Sequence, residues 1–202
     1  GRTIFDVYHT YTVDLHSIHA VCELNGLIQS ENDVFARVSD LDVLYFSTFL
    51  HDIGKGSGRP HAVKGAEIIR PIARRFGFDH AQTDLAAFLV QNHLLMADLA
   101  FSRDLSEEKV IGDFALKAAS PERLSLLYLL TVADSRATGA SAWSEWKASL
   151  LRELYIRTLN ILEKGIFKDP ENAMRLEEKW DRLIGMARTG EGFQGRLWAL
   201  PQ

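Results

Sequence analysis

Val43-Leu44-Tyr45-Phe46-Ser47-Thr48-Phe49-Leu50-His51-Asp52-Ile53-Gly54-Lys55-Gly56 is the stretch on which the reading of the chain turns. A largely apolar run leads straight to an imidazole and a carboxylate side by side, and glycine, lysine and glycine follow at once. The spacing predicts a helix from about Asp40 to Ile53, stopped by Gly54, Gly56, Ser57, Gly58 and Pro60. His51 and Asp52 then fall in its last turn, at the edge of a core, where polar groups need partners. Imidazole nitrogen and carboxylate oxygen both suit first-row divalent metals, so one ion would satisfy both side chains.

Outward from this stretch the same helical spacing recurs. After Thr12 as N-cap, Val13 to Ile28 sets Leu15, Ile18, Val21, Cys22 and Leu24 on one face, with His16 and His19 a turn apart and Cys22 expected to be buried. A further helix opens near His61 with Val63, Ala66, Ile69 and Ile72 inward, and Pro71 is expected to kink or break it. Asp84 to Leu95 is amphipathic through Leu85, Phe88 and Leu89, with His93 near its end. Ser120-Pro121 is an N-cap and first-turn proline, and Leu124, Leu127, Leu130 and Val132 make the following helix apolar nearly all round, with Asp134 ending it. A long last helix carries Trp143, Trp146, Leu150, Leu151, Leu154, Tyr155 and Leu159. No segment alternates as a strand does, and no repeat is visible. The fold class expected is all-α, a helical bundle with a metal site in its core.

Composition sets the limits. With 47% apolar and 25% charged residues the chain is globular, and 202 residues suit one core with additional helices. A net charge of −4 offers no general positive field for nucleic acid, so no nucleic-acid partner is expected. No unbroken apolar run of about 18 residues suggests a membrane span. The single Cys22 cannot close an internal disulfide and no targeting segment opens the chain, which makes a reducing cytoplasm the expected compartment. The abrupt start at Gly1 and the glycine-broken end from Gly190 to Trp198 point to a piece of a longer polypeptide, with a domain over 1–165 and a helical extension over 166–202.

Helices can turn His16, His51, Asp52, His61, His93 and Asp134 towards one cavity. In this reading His16, His51, Asp52 and Asp134 hold one ion, and Asp52 bridges to a second held by His61 and His93. One or two divalent ions are expected, the ligand types not separating Mn, Fe, Co, Zn or Mg. Such a pair is machinery for phosphoester hydrolysis by activated water. Asp52 is its central carboxylate, and Lys55, on the glycine loop, is placed to hold a phosphate oxygen as a mobile point charge. An isolated helical histidine is more often a core or surface residue than a ligand. His9, His19 and His80 keep that plainer reading because the sequence offers them no partner, although His19 is near enough to His16 to support it. Lys55 as a solvated loop lysine and Asp134 as a helix-end cap are the plainer alternatives for those two. Arg70, Arg74 and Arg75 form a basic face, either solvated or set against an anionic partner.

The order His16, His51-Asp52, Asp134 resembles the HD superfamily of metal-dependent phosphohydrolases. Tyr11-Thr12-Val13-Asp14-Leu15-His16, Leu50-His51-Asp52-Ile53-Gly54-Lys55-Gly56, Leu89-Val90-Gln91-Asn92-His93-Leu94-Leu95-Met96, Thr131-Val132-Ala133-Asp134 and the tryptophan-bearing run Trp143 to Tyr155 narrow it further. Together they look like the HD domain of the bifunctional PII uridylyltransferase/uridylyl-removing family. That resemblance implies a domain that hydrolyses UMP from a uridylylated tyrosine of the nitrogen-regulatory protein PII. It also implies transferase and ACT domains of the same polypeptide outside this chain. The glycine-serine turn and paired aspartates of the transferase half are not found here, so no UMP transfer is expected. His61 and His93 go beyond a simple HD pattern and allow two metals. Competing expectations are an HD phosphohydrolase acting on a free or cyclic nucleotide, a metal-binding regulatory module with little activity in isolation, and a PII-docking role for the arginine face.

Overall fold

The computed structural model describes residues 12–139 and 143–164. Nine helices are described: α1 (Val13–Ser30), α2 (Asn32–Phe35), α3 (Leu41–Leu50), α4 (His61–Arg75), α5 (His80–Asn92), α6 (Leu95–Ser102), α7 (Glu108–Ala118), α8 (Pro121–Ala137) and α9 (Glu145–Glu163). Among the described residues there is no strand, as the sequence predicts. The chain to Ile161 forms one compact unit, and a second begins at Leu162. His9 and the extension over 166–202 lie outside the described residues.

Helix α8 is the axis of the bundle. Leu124, Leu126, Leu127, Leu129 and Leu130 are all fully buried, so it is enclosed on every side, as its all-round apolar composition requires. Each such leucine contributes about 1.5–3 kcal/mol by leaving water. Helices α1, α3 and α5 pack against it, and α4 packs on α5. Ser120 caps α8 by accepting from the Arg123 N–H at 3.2 Å, with Pro121 in the first turn. Arg152 on α9 ties that helix to the end of α1 and to α2 through Glu31 at 2.8 Å and Asp33 at 2.6 Å.

Several boundaries and faces differ from those the sequence predicts. Helix α3 ends at Leu50, so His51 is its C-cap and Asp52 lies in the turn beyond, where Ile53 N–H bonds Leu50 C=O and Lys55 N–H bonds Asp52 C=O. Helix α4 runs unbroken through Pro71, which is exposed, so the missing N–H falls on the solvent side. Helix α5 starts at His80 because Asp79 and Gln82 form a capping box ahead of it. Helix α8 continues to Ala137, which places Asp134 in its last turn and not at its end. On α1 the inward residues are His16, Ser17, Ala20, Leu24 and Leu27, while Leu15 (47%) and Ile18 (49%) are exposed, as is Cys22. Turning His16 inward rotates those neighbours out, at about 100° per residue. Val63 and Trp146 are exposed as well. Within the described residues, the stretch His80–Ser102 is long and apolar enough on average to cross a membrane, a match that a search for an unbroken apolar run passes over. It consists of α5 and α6, parted at His93 and Leu94, and the buried Ala86, Ala87, Leu89 and Val90 supply much of its apolarity to the core.

Candidate metal centre

Two helix ends supply a histidine by the same device. His51 caps α3 and His93 caps α5, and each ring turns back on the carbonyl three residues earlier, a group left without a partner at a helix C-terminus. His51 Nδ1–H donates to Thr48 C=O at 2.8 Å and His93 Nδ1–H to Val90 C=O at 2.7 Å. A carbonyl only accepts, so the proton of the neutral ring is on Nδ1 and the Nε2 lone pair faces the cluster. His51 and His93 are 0% and 1% exposed, and His16, from the first turns of α1, is 1% exposed.

The donor atoms fall into two sets. His16 Nε2 lies 2.8 Å from Asp134 Oδ1 and 3.2 Å from His51 Nε2, and His51 Nε2 is 3.3 Å from the same Asp134 oxygen. In the second set His61 Nε2 lies 3.3 Å from His93 Nε2, with Asp52 Oδ1 at 3.5 Å and 3.7 Å from these two nitrogens. Within each set the donor atoms are no more than 4.8 Å apart. Asp52 lies between them: its Oδ1 faces His61 and His93, while Oδ2 is 3.4 Å from His51 Nε2 and 3.8 Å from His16 Nε2. Lys55 Nζ is 2.7 Å from the same Oδ2. The cluster opens where Asp134 and His61 stand, their side chains being 16% and 29% exposed against 3% or less for His16, His51, Asp52 and His93.

Without a cation these donors must share protons. Burial opposes a charge on His51, yet Asp134 and Asp52 push its pKa up to about 10. Burial, reinforced by the charge of His51, takes His93 down to about 4. Asp52 is held below the usual carboxylate range against its own desolvation, by His51 and then Lys55. Asp134 is likewise held low against burial by His51 and His16. A proton on His51 thus stands among carboxylates that keep their charge, where a divalent ion could take its place. Imidazole nitrogens with a fixed tautomer and ionised carboxylates are a donor set that fits such an ion.

Backbone packing sets the two halves of the second set beside each other. A Cβ on Gly54 would lie 2.0 Å from His61 O and 2.5 Å from Gly65 N, so the turn after Asp52 rests backbone against backbone on the start of α4. Only glycine permits that approach.

All of His16, His51, Asp52, His61, His93 and Asp134, with Lys55, are therefore brought together, across five helices or their ends. Asp52 is shared evenly between the sets, its Oδ1 at 3.5 and 3.7 Å from His61 and His93 and its Oδ2 at 3.4 and 3.8 Å from His51 and His16. His19 is half-buried. His80 is exposed and has a partner after all, Asp84 at 3.0 Å and one turn along α5, which corrects the expectation that it has none. Arg70 pairs with the same Asp84, so the basic face is partly neutralised, with Arg74 and Arg75 exposed beside it. The Thr48 and Val90 carbonyls and the Gly54 contact are not foreseen in the sequence. Their signal is a position three residues before a helix-ending histidine, which needs the helix ends to be known.

The HD domain family model matches residues 8–139. The chain belongs to the HD-domain family. It is thus a metal-dependent phosphohydrolase domain, as its residues resemble. Among curated relatives it is 49% identical over 172 residues to a bifunctional uridylyltransferase/uridylyl-removing enzyme of Zymomonas mobilis, covering 80% of this chain and 18% of the relative. Relatives with the same description are 43% identical over 177 residues in Novosphingobium aromaticivorans and 41% over 178 in Azospirillum brasilense, each covering 82% of this chain and 19% of the relative. The chain thus spans about a fifth of the length of the relatives it matches.

Proposed function

We propose that this HD domain is a uridylyl-removing hydrolase, which cleaves the phosphodiester joining UMP to a tyrosine of PII. The observation that carries the reading is Asp52, whose two oxygens face separate sets of imidazoles and which also pairs with Lys55. Support for the substrate comes from the relatives, whose names include uridylyl removal.

In this reading His16, His51 and Asp134 hold one divalent ion and Asp52, His61 and His93 a second, with Asp52 reaching both. Bound there, the ions would polarise the phosphoryl group and ease the loss of a proton from water. The residues do the rest. His51 and His93 keep Nε2 available because Thr48 and Val90 hold Nδ1–H. Lys55 leaves Asp52 to meet a phosphate oxygen, neutralising charge as a fifth ligand forms on phosphorus. Asp134 and His61, on the open side, border the entry for the substrate. The oxygen of water forms the new bond to phosphorus, the bond from phosphorus to the tyrosyl oxygen breaks, and the phenol takes a proton. The groups brought together are imidazoles and carboxylates with Lys55, a set suited to direct attack by water.

The test is release of UMP from uridylylated PII by the metal-loaded domain. Release that is lost in Asp52→Ala is the expected result. Turnover of free or cyclic nucleotides with PII-UMP untouched would overturn the substrate, and equal release by wild type and Asp52→Ala would overturn the site.

A further inference from the structure

We infer that Gly65 is a positioning residue for the second ligand set, acting through its contact with Val90; the inference rests on the two-ion reading above. Gly65 is buried on α4, one turn beyond His61. A Cβ added to it would lie 2.8 Å from Val90 Cγ1, with Gly54 N and His51 O each at 3.6 Å. The last two are ordinary contact distances, so the collision is one-sided, towards α5.

Three pieces of chain meet at that point, and each carries one ligand of the second set. Gly65 shares α4 with His61. Gly54 lies within the turn that presents Asp52, which Lys55 N–H closes on Asp52 C=O. Val90 lends its carbonyl to His93 Nδ1–H at 2.7 Å while its side chain rests on Gly65. Val90 is 0% exposed and β-branched, so its methyl groups have one preferred rotamer and no open space to move into. A methyl group at 65 would therefore drive α4, with His61, away from α5 and from the Asp52 turn. His16 and Asp134 stand on α1 and α8, which take no part in this junction, and His51, the third ligand of the first set, meets the added methyl only through its carbonyl at an ordinary contact distance of 3.6 Å. The first set should keep its ion when the second loses one.

The experiment is elemental analysis of Mn-loaded wild type, Gly65→Ala and Val90→Ala, with a metal titration read by thermal melting. Wild type is expected to hold about two ions, and Gly65→Ala about one, its second ion weakened about tenfold to a hundredfold while the first is unchanged. Two ions at wild-type affinity in Gly65→Ala would overturn the inference alone. Equal weakening of both ions would also overturn it, since that is what a purely structural defect gives. If Gly65→Ala does not fold, Val90→Ala, which removes the other half of the contact, decides: selective weakening of the second ion supports the inference and unchanged binding overturns it. Wild type holding a single ion would sink the two-ion reading itself, and this inference with it.

Discussion

His51 stands between two carboxylates that keep their charge, and its raised pKa makes the metal-free fold sensitive to alkali. Its folded value of about 10 lies above the ordinary 6.5, so its contribution is complete below pH 6.5 and is lost as pH rises through about 10. His93, held near 4, has the opposite sign: burying it neutral costs stability as pH falls from 6.5 towards 4. Asp52 and Asp134, held low, lose their contributions as pH falls below the ordinary 3.8. Thermal melts with chelator present should therefore show a Tm maximum near pH 6.5 and an alkaline fall that His51→Gln abolishes; a wild-type Tm flat from pH 6.5 upward would contradict it. Lys55 makes a separate prediction. Lys55→Met should lower the rate of UMP release by about a hundredfold with metal content unchanged, and an unaltered rate would return Lys55 to the role of a partner for Asp52. At this scale the sequence is informative, because His51-Asp52 beside glycine and lysine is chemically conspicuous, and His16, His61, His93 and Asp134 come into proximity as their types suggest. What it conceals is which oxygen of Asp52 faces which set, since that depends on a turn only a few residues long.

Helix α1 shows where periodicity misleads. Its apolar residues suggest a stripe through Leu15 and Ile18, whereas the helix is rotated to bury His16, Ala20, Leu24 and Leu27. Placing His16 in the cluster decides the rotation, and a hydrophobic count gives a histidine no inward weight. Two substitutions separate the alternatives. Leu24→Ala should cost about 2–5 kcal/mol in urea unfolding, as a fully buried leucine does. Leu15→Ala, at a surface position, should change stability by no more than about 0.5 kcal/mol. Comparable losses at both sites would restore the stripe. Helix α8 gave no such difficulty, because a helix apolar on every side has only one place to go. Helices α2 and α6, of four and eight residues, are too short to show a period, and α7, of eleven, is not anticipated from the sequence either.

At the scale of the whole domain, the ligands come from α1, α4 and α8 and from the ends of α3 and α5, so an ion there joins elements that are otherwise held by apolar packing. An ion that binds only the folded chain stabilises it by about 2.7 kcal/mol at a hundred times its dissociation constant. Chelation should lower Tm accordingly, and Asp134→Asn, which removes a ligand of the first set alone, should place the metal-loaded melt between those of loaded and chelated wild type. A Tm indifferent to chelator in wild type would remove the metal from the folding balance. The all-α architecture was legible from spacing alone, whereas the junction of α4, α5 and the Asp52 turn was not. That junction depends on what a glycine leaves out, and the bare fact of a glycine at 65 does not reveal its neighbours.

The histidines at the ends of α3 and α5 also bear on how these helices can vary in length. Each ring is aimed by the last turn of its own helix, so inserting or deleting one residue upstream within α3 or α5 would swing the ligand by about 100° and move it about 1.5 Å along the axis. The connection between α6 and α7 carries no such ligand. Natural or engineered insertions should accumulate there, while α3 and α5 behave as rulers cut to a fixed number of residues.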